Sequence, residues 1–415
     1  MHSVCISCKG RGLCGQPCEI LAKFQRHAPR PRVHFSGSSP PEIFVGRIGY
    51  PFINSGILSP SNQDTNLHGE QTSVLASPEQ WVSENLSIDQ ILEMRGQLIY
   101  GRGQSHIKST ATNNNLKQVT QELALSSKPV STEVFLKKAP IMNFTASKYF
   151  HIITNPAPIH RAILEENPHV EQKVDYLTTD YDVKSTTALK ELYKTGKITT
   201  THLQKLLSAG LLGVKAARRM VPTRWSITAV DDTLGKQLLE RIRFYQELNQ
   251  IQLFHHYYNG NHFEVLLLPD KFSFEVIEVS MQGSNWNESI KASGDVFMQD
   301  YEGFFPRKTY ATHVVGAYYT DRLAVGEYLE KIKRQATIFM CHEERPEYYA
   351  PLGVGIIRES LRKMFSDPKA VEYPDSIEQA LIIMGQRLKA PFSRYKKMSW
   401  VLANYGKQKK LKEFF

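Results

Sequence analysis

No stretch of the chain approaches the roughly 20 consecutive apolar residues that a bilayer-spanning helix requires. The N-terminus, M-H-S-V-C-I-S-C-K-G-R, carries cysteines and basic residues where a secretory signal would carry an apolar run. A soluble, intracellular protein is therefore expected. No internal repeat is apparent, so a solenoid is not expected. Cysteine is scarce outside one short segment: four of the five lie between positions 5 and 18, and only Cys341 is found elsewhere. An excess of acid is also lacking, since the 415 residues sum to a formal charge of +10 with a pI near 9.1. Such a balance favours a polyanionic partner through release of counterions from phosphates. Hydrophobic residues at 41% and charged residues at 22% are ordinary globular usage, which argues against wholesale disorder.

What is there begins with Cys5, Cys8, Cys14 and Cys18, spaced C-x2-C-x5-C-x3-C. Without an export signal a disulfide module is disfavoured, and in a reducing compartment such a cluster reads as a metal site. Four thiolates suit tetrahedral zinc, and Gly10, Gly12 and Gly15 let so short a loop fold back around an ion. An iron-sulfur cluster is the rival occupant. With all four positions taken by cysteine no ligand position is left open, so the expected role is structural. Binding on the order of 10 kcal/mol could order a segment too small to fold alone. Cys341, at the end of an apolar run, is expected to be buried in a strand.

The domain plan read from composition is a four-cysteine zinc module at 1–28, a basic Pro-rich linker at 29–41, a core at 42–404 and a tail at 405–415. Glu42 to Ile53 reads as a strand with a bend at its glycines. The stretch from Ser105 to Ser131 reads as a polar excursion with one short helix. Three short helices are expected around Thr186 to Lys194, Thr200 to Leu207 and Leu212 to Met220, with turns at Gly196 and Gly210. Their lengths could suit a helix-turn-helix, though three packed helices are the plainer reading. An amphipathic helix from Asp232 to Asn249 should lead into Ile251 to Tyr258, His262 to Leu268 and Phe272 to Val279 as an antiparallel meander. Further helices are expected near Asp321 to Gln335, Val354 to Phe365 and Ser376 to Leu388, with a strand through Thr337 to Cys341. Clustered strands that do not alternate with helices define an α+β class: an antiparallel sheet region packed with helices, plus the small metal module.

The last eight residues read Q-K-K-L-K-E-F-F. Gln408, Leu411, Phe414 and Phe415 fit the pattern Q-x-x-h-x-x-a-a, in which h is aliphatic and a aromatic. Residues three apart eclipse in a single 3₁₀ turn, so Leu411 and Phe414 form one plug beside Phe415, while Gln408 offers its amide to a separate polar pocket. Burying the three apolar side chains yields about 5 to 9 kcal/mol before ordering costs, which implies micromolar affinity at best. This pattern resembles the PCNA-interacting peptide of clamp-binding replication and repair proteins.

A second block, K-A-A-R-R-M-V-P-T-R-W-S-I-T-A-V-D-D from Lys215 to Asp232, gathers Lys215, Arg218, Arg219 and Arg224 beside Trp225. Guanidinium groups pair with phosphate oxygens and an exposed indole stacks on a base, so this is a candidate DNA contact. In the plainer reading Trp225 is core and Asp231 or Asp232 caps the following helix.

The runs F-V-G-R-I-G-Y-P (Phe44 to Pro51), V-P-T-R-W-S-I-T-A-V-D-D (Val221 to Asp232), G-A-Y-Y-T-D-R-L-A-V-G-E-Y-L (Gly316 to Leu329) and P-L-G-V-G (Pro351 to Gly355) resemble the signature blocks of the archaeal Nre DNA-repair family. The cysteine module and clamp peptide are similar to that family's layout, so the resemblance spans nearly the whole chain. It implies an archaeal repair protein linked to bulky or crosslinking DNA damage and acting with PCNA; a cytoplasmic, nucleoid-associated location and recruitment of excision-repair machinery are expected with that role. It names a pathway and leaves the reaction open.

For chemistry, Asp231, Asp232 and Glu264 are the candidate catalytic carboxylates, with Glu275, Glu278, His255, His256 and His262 nearby in sequence. Carboxylates converging on Mg²⁺ or Mn²⁺ could activate water for phosphodiester cleavage, the nuclease alternative. No E-x-K nuclease pattern accompanies them. Arg307, Arg322 and Arg334 with Glu302 could bind a nucleotide or sugar phosphate, although scattered arginines most often make ion pairs. The reading that needs least is a clamp-tethered DNA-binding factor acting on damaged, branched or single-stranded DNA.

Overall fold

The computed structural model describes residues 8, 15, 17–27, 29–30, 32–60, 68–108, 115–284 and 294–407. These form two compact units: the described residues up to Leu234 together with Ala350–Ile356, and Gly235–Tyr349 together with the described residues from Ile357 onward. Both mix helices with a sheet, in agreement with the α+β expectation.

The first unit holds β1 (His34–Ser39), β2 (Ile43–Val45), β3 (Phe52–Pro60), β4 (Leu98–His106), β5 (Val130–Leu136), the short β6 (Phe144–Thr145) and β7 (Ile153–Thr154), and β8 (Pro156–Leu164). Six of them form one sheet in the order β1-β5-β8-β4-β3-β2, antiparallel except where β4 meets β8. In β5 the alternation V-S-T-E-V-F-L puts Val130, Thr132, Val134 and Leu136 inward, the period-2 pattern of a half-buried strand. Val130, Val134 and Leu136 join Ile53, Ile57, Ile99 and Leu123 in the core. The stretch read as a bent strand from Glu42 is two antiparallel strands, β2 and β3, joined through 46–51. Part of the stretch read as linker is β1, paired along its length with β5.

Two of the three short helices stand as expected, at Ser185–Lys194 and Thr200–Ser208, the latter capped by Thr199 Oγ1 accepting from His202 N. The third is reduced to a single 3₁₀ turn at Lys215–Ala217. Gly213 lies at φ +109°, outside any helical conformation, and breaks the pattern before it starts. The following helix runs from Thr223 to Ile242, nine residues ahead of its predicted start at Asp232. Ser226 N already donates to the Pro222 carbonyl, and no glycine or proline interrupts the path to Asp232. Asp231 and Asp232 are therefore mid-helix and cap nothing.

The second unit holds β9 (Gln246–Glu247), β10 (Gln252–Tyr258), β11 (Asn261–Leu268), β12 (Ser273–Ser280), β13 (Val296–Glu302), β14 (Arg334–Gln335), β15 (Thr337–Glu344) and β16 (Val371–Glu372). β10 and β11 form a hairpin around Asn259 and Gly260, both at positive φ, where a Cβ on Gly260 would lie 2.3 Å from Tyr348 N. The meander stops there. The sheet order is β13-β12-β15-β11-β10-β16, with β15 inserted between β11 and β12 and parallel to β12. Every residue of β11, β12 and β15 is buried, as befits central strands covered on both faces. Ile277, Val279, Phe339 and Cys341 pack on one side with Ala380 and Met384 of the helix Ile377–Arg387, so Cys341 is the buried strand residue expected.

Candidate functional sites

In the first unit, the turn before β3 lays out an unusual surface. Ile48, Tyr50, Phe52 and Trp225 are 79%, 43%, 57% and 44% exposed. Tyr50 and Trp225 have ring centroids 5.2 Å apart, and Phe52 meets His106 edge-on at 5.1 Å. Backbone bonds from Ile107 N to the Pro51 carbonyl and from Met220 N to the Ile107 carbonyl stitch the three segments together. Arg47, Lys108 and Arg219 are exposed on those same segments. Gly210, at φ +74°, lets Arg219 approach, since a Cβ there would lie 2.6 Å from its carbonyl.

The predicted arginines divide. Lys215, Arg219 and Trp225 are exposed. Arg218 is spent internally: its guanidinium donates to the carbonyls of Gly213, Thr178 and Asp180 at 2.6–2.7 Å and covers the Tyr181 ring. Arg224 lies 3.9 Å over the Tyr149 ring and donates to its hydroxyl. Arg47, Tyr50 and Phe52 were not among the candidate contacts, though the first two stand inside the first signature block and Phe52 directly follows it.

The same unit holds a cleft lined among others by Glu42, Phe44, Tyr149, His151, Lys205 and Thr223. Three of the four signature blocks supply part of its wall, through Phe44, Thr223 and Gly355. Glu42 is buried against Arg95 Nη1 at 2.5 Å and bonded to His151. Burial alone would raise its carboxyl, but the Arg95 charge and then His151 bring it down to about 2. His151 is itself held low by burial and by Arg95, so at neutral pH it is a neutral imidazole and Arg95 is the main counterion of Glu42. Lys205 donates to the Pro41 carbonyl, and burial lowers its amine to about 8. No sequence spacing announces this set, because its members come from four separate segments.

The candidate catalytic carboxylates do not form one site. Asp231 is fully buried and accepts from Gln204 Nε2 at 3.2 Å; Asp232 beside it is half-buried. Glu264 belongs to the other unit, on the Cys341 face of its sheet, 3.0 Å from His262 Nε2 and 3.6 Å from Arg387 Nη1. Burial raises its carboxyl to about 8 despite Arg387, whose nearer partner is Glu372. It is therefore neutral at pH 7, and we read the contact as a weak one and not as an ion pair. Glu275 accepts from Ser399 Oγ and from the N–H groups of Trp400 and Val401, so it satisfies the start of the helix Trp400–Asn404, whose N-cap is Ser399. Arg307 pairs with Asp300 at 2.8 Å and Arg322 with Glu302 at 3.2 Å, the ion-pair outcome, while Arg334 Nη1 donates to Gln246. Among the described residues one group of three His, Cys, Asp or Glu side chains has ligand atoms mutually close enough for a metal: Glu278, His342 and Glu344.

Cys8 and Cys18 lie among the described residues, buried and half-buried; Cys5 and Cys14 lie outside them, as do Gln408, Leu411, Phe414 and Phe415. Among the described residues no helix is long and apolar enough to cross a membrane.

Taken together these features define a two-unit α+β protein with an aromatic and basic face and a mainly apolar cleft that holds a few buried charged groups. The archaeal Nre N-terminal profile matches residues 13–287 and the archaeal Nre C-terminal profile residues 302–414. The DNA repair protein NreB of Archaeoglobus fulgidus is 35% identical over 420 residues, covering 99% of this chain and 99% of that protein. The DNA repair proteins NreA of Haloferax volcanii and of A. fulgidus are 35% and 33% identical, covering 80% and 92% of this chain and 79% and 93% of their own. No solved structure matches. The chain belongs to the archaeal Nre family.

Proposed function

We propose that this chain is a DNA-repair protein that grips DNA through the face around Tyr50, Phe52 and Trp225 and is moored to the sliding clamp PCNA by Gln408–Phe415. The repair role rests on its relatives, each of them a named DNA repair protein. The observation that carries DNA binding is the exposed Tyr50–Trp225 pair with Arg47, Lys108 and Arg219 around it. Aromatic rings left in solvent accept stacked bases, and the cations track the phosphates. This geometry favours unstacked bases, hence single-stranded, branched or damaged DNA. The clamp tether rests on the pattern of the final eight residues, whose plug of one leucine and two phenylalanines fits an apolar cleft.

A structural zinc ion on Cys5, Cys8, Cys14 and Cys18 completes the reading. It is supported by Leu21 N donating to Cys18 Sγ at 3.3 Å, at the start of the helix Glu19–His27. A helix N-terminus stabilises a thiolate. Metal analysis of the purified chain should find zinc, lost in Cys18→Ser; iron with the absorbance of a cluster would replace the zinc reading.

Fluorescence anisotropy with single-stranded and branched oligonucleotides tests DNA binding. Each stacked base is worth about 1–3 kcal/mol, so Trp225→Ala and Tyr50→Ala should each weaken binding about 5- to 150-fold with the fold intact. Unchanged affinity in the double variant would refute the assignment. Run with Mg²⁺ or Mn²⁺, the same mixtures decide the nuclease alternative: intact strands favour a binding factor, and cleavage abolished in Asp231→Ala or Glu264→Ala favours the enzyme.

A further inference from the structure

β12 and β15 run parallel in the centre of the second sheet, with Glu278 opposite His342 and Ser280 opposite Glu344. Alternation then puts Glu278, His342 and Glu344 on one face, away from the face that carries Ile277 and Cys341. All three are at most 5% exposed. Their ligand atoms lie within 4.8 Å of one another.

The imidazole decides what this cluster is for. Asn261 Nδ2 donates to the Tyr258 carbonyl, which leaves Oδ1 to accept from His342 Nε2 at 3.1 Å. The proton therefore sits on Nε2, and the lone pair of Nδ1 faces the carboxylates. Nδ1 is buried without a hydrogen-bond partner among the described residues, and Glu278 Oε2 lies 3.8 Å away. That is too long for a hydrogen bond. It does match the separation of about 3–4 Å between two ligand atoms each some 2.1 Å from a shared ion. Phe263 stacks on the ring at 4.4 Å and Ser280 Oγ donates to Glu344 Oε2 at 2.8 Å, so two of the three donors are held by neighbours of their own. Such support of ring and carboxylate is the usual surrounding of a metal site. With no donor or cation at Nδ1, the imidazole lone pair is desolvated in a water-poor interior, which costs free energy.

We propose that Glu278, His342 and Glu344 form a site for a divalent transition metal. One imidazole with two carboxylates suits Mn²⁺, Fe²⁺ or Zn²⁺ better than Mg²⁺ or Ca²⁺. The site draws on no residue of the cysteine cluster or of the DNA face and depends on neither.

Mn²⁺ is the probe, because thiolates compete poorly for it and the cysteine cluster stays silent. The full chain is stripped with chelator, desalted and titrated with Mn²⁺, free ion being read by electron paramagnetic resonance. One Mn²⁺ per chain is expected, together with a higher melting temperature. Glu344→Gln and His342→Gln should weaken binding at least tenfold, and Asn261→Ala, which frees the ring, about 10- to 100-fold. Glu347→Gln, a half-exposed neighbour paired with Lys389, should bind as the native chain does. If His342→Gln does not fold, Glu344→Gln and Asn261→Ala carry the test. No bound Mn²⁺, or binding by Glu344→Gln equal to that of the native chain, overturns the proposal.

Discussion

Replacing Glu42 by glutamine should destabilise the first unit by about 3–5 kcal/mol at pH 7, because it leaves the fully buried Arg95 guanidinium facing a neutral amide. The other bonds of Arg95, to the carbonyls of Leu75 and Ile152, orient it without neutralising it. An independent route gives a similar size. The Glu42 carboxyl falls from an ordinary 4.5 to about 2 in the fold, which corresponds to about 3 kcal/mol of preference for its charged form. The folded value is depressed, so this contribution is fully present above about 4.5 and is lost as pH falls towards 2. Linkage puts about 2 of those 3 kcal/mol already gone by pH 3. Urea unfolding of native and Glu42→Gln chains, followed by far-UV circular dichroism between pH 7 and pH 3, measures the gap. A gap below about 1 kcal/mol at pH 7, or one that stays constant down to pH 3, would refute the reasoning.

Four further outcomes concern other parts of the chain. Burial raises the Glu264 carboxyl to about 8, so its contribution is complete below 4.5 and lost as pH rises through 8; urea midpoints at pH 5 and pH 9 should converge in Glu264→Gln, and an unchanged decline would disprove it. Arg218→Ala should lower stability by about 1–3 kcal/mol through its three carbonyl bonds. Arg219→Ala should instead leave the melting temperature alone and reduce the salt slope of DNA binding by about 1; swapped phenotypes would show the two arginines misassigned. A chain ending at Lys407 should lose PCNA in a pull-down while keeping its affinity for DNA, and undiminished capture would end the mooring proposal.

Local chemistry was legible wherever one element decides its own outcome. The Cys341 strand and the helices at Ser185–Lys194 and Thr200–Ser208 were readable because period, caps and glycine breaks act over a few residues, while β5, whose alternation is as regular, went unread. The errors have physical causes. Asp231 looked like a cap because it follows a basic and aromatic block, yet the helix had already begun at Thr223, eight residues earlier. Glu264, Glu275 and Glu278 looked equivalent in sequence; alternation and sheet order make one a neutral buried acid, one an acceptor for the first N–H groups of a helix and one a neighbour of His342. The Glu42, Arg95 and His151 set was invisible, since contacts between residues 53 to 109 positions apart leave no pattern in spacing.

The insertion of β15 between β11 and β12 governs how the second unit can come into being. Two strands adjacent in sequence cannot become part of one sheet until a third, made some sixty residues later, arrives to lie between them. Until then each offers a bare row of amide and carbonyl groups to any passing strand. A fragment ending before Thr337 should therefore clump and not yield a smaller stable piece, and assembly of this unit should be slow compared with that of a hairpin-built sheet of equal size.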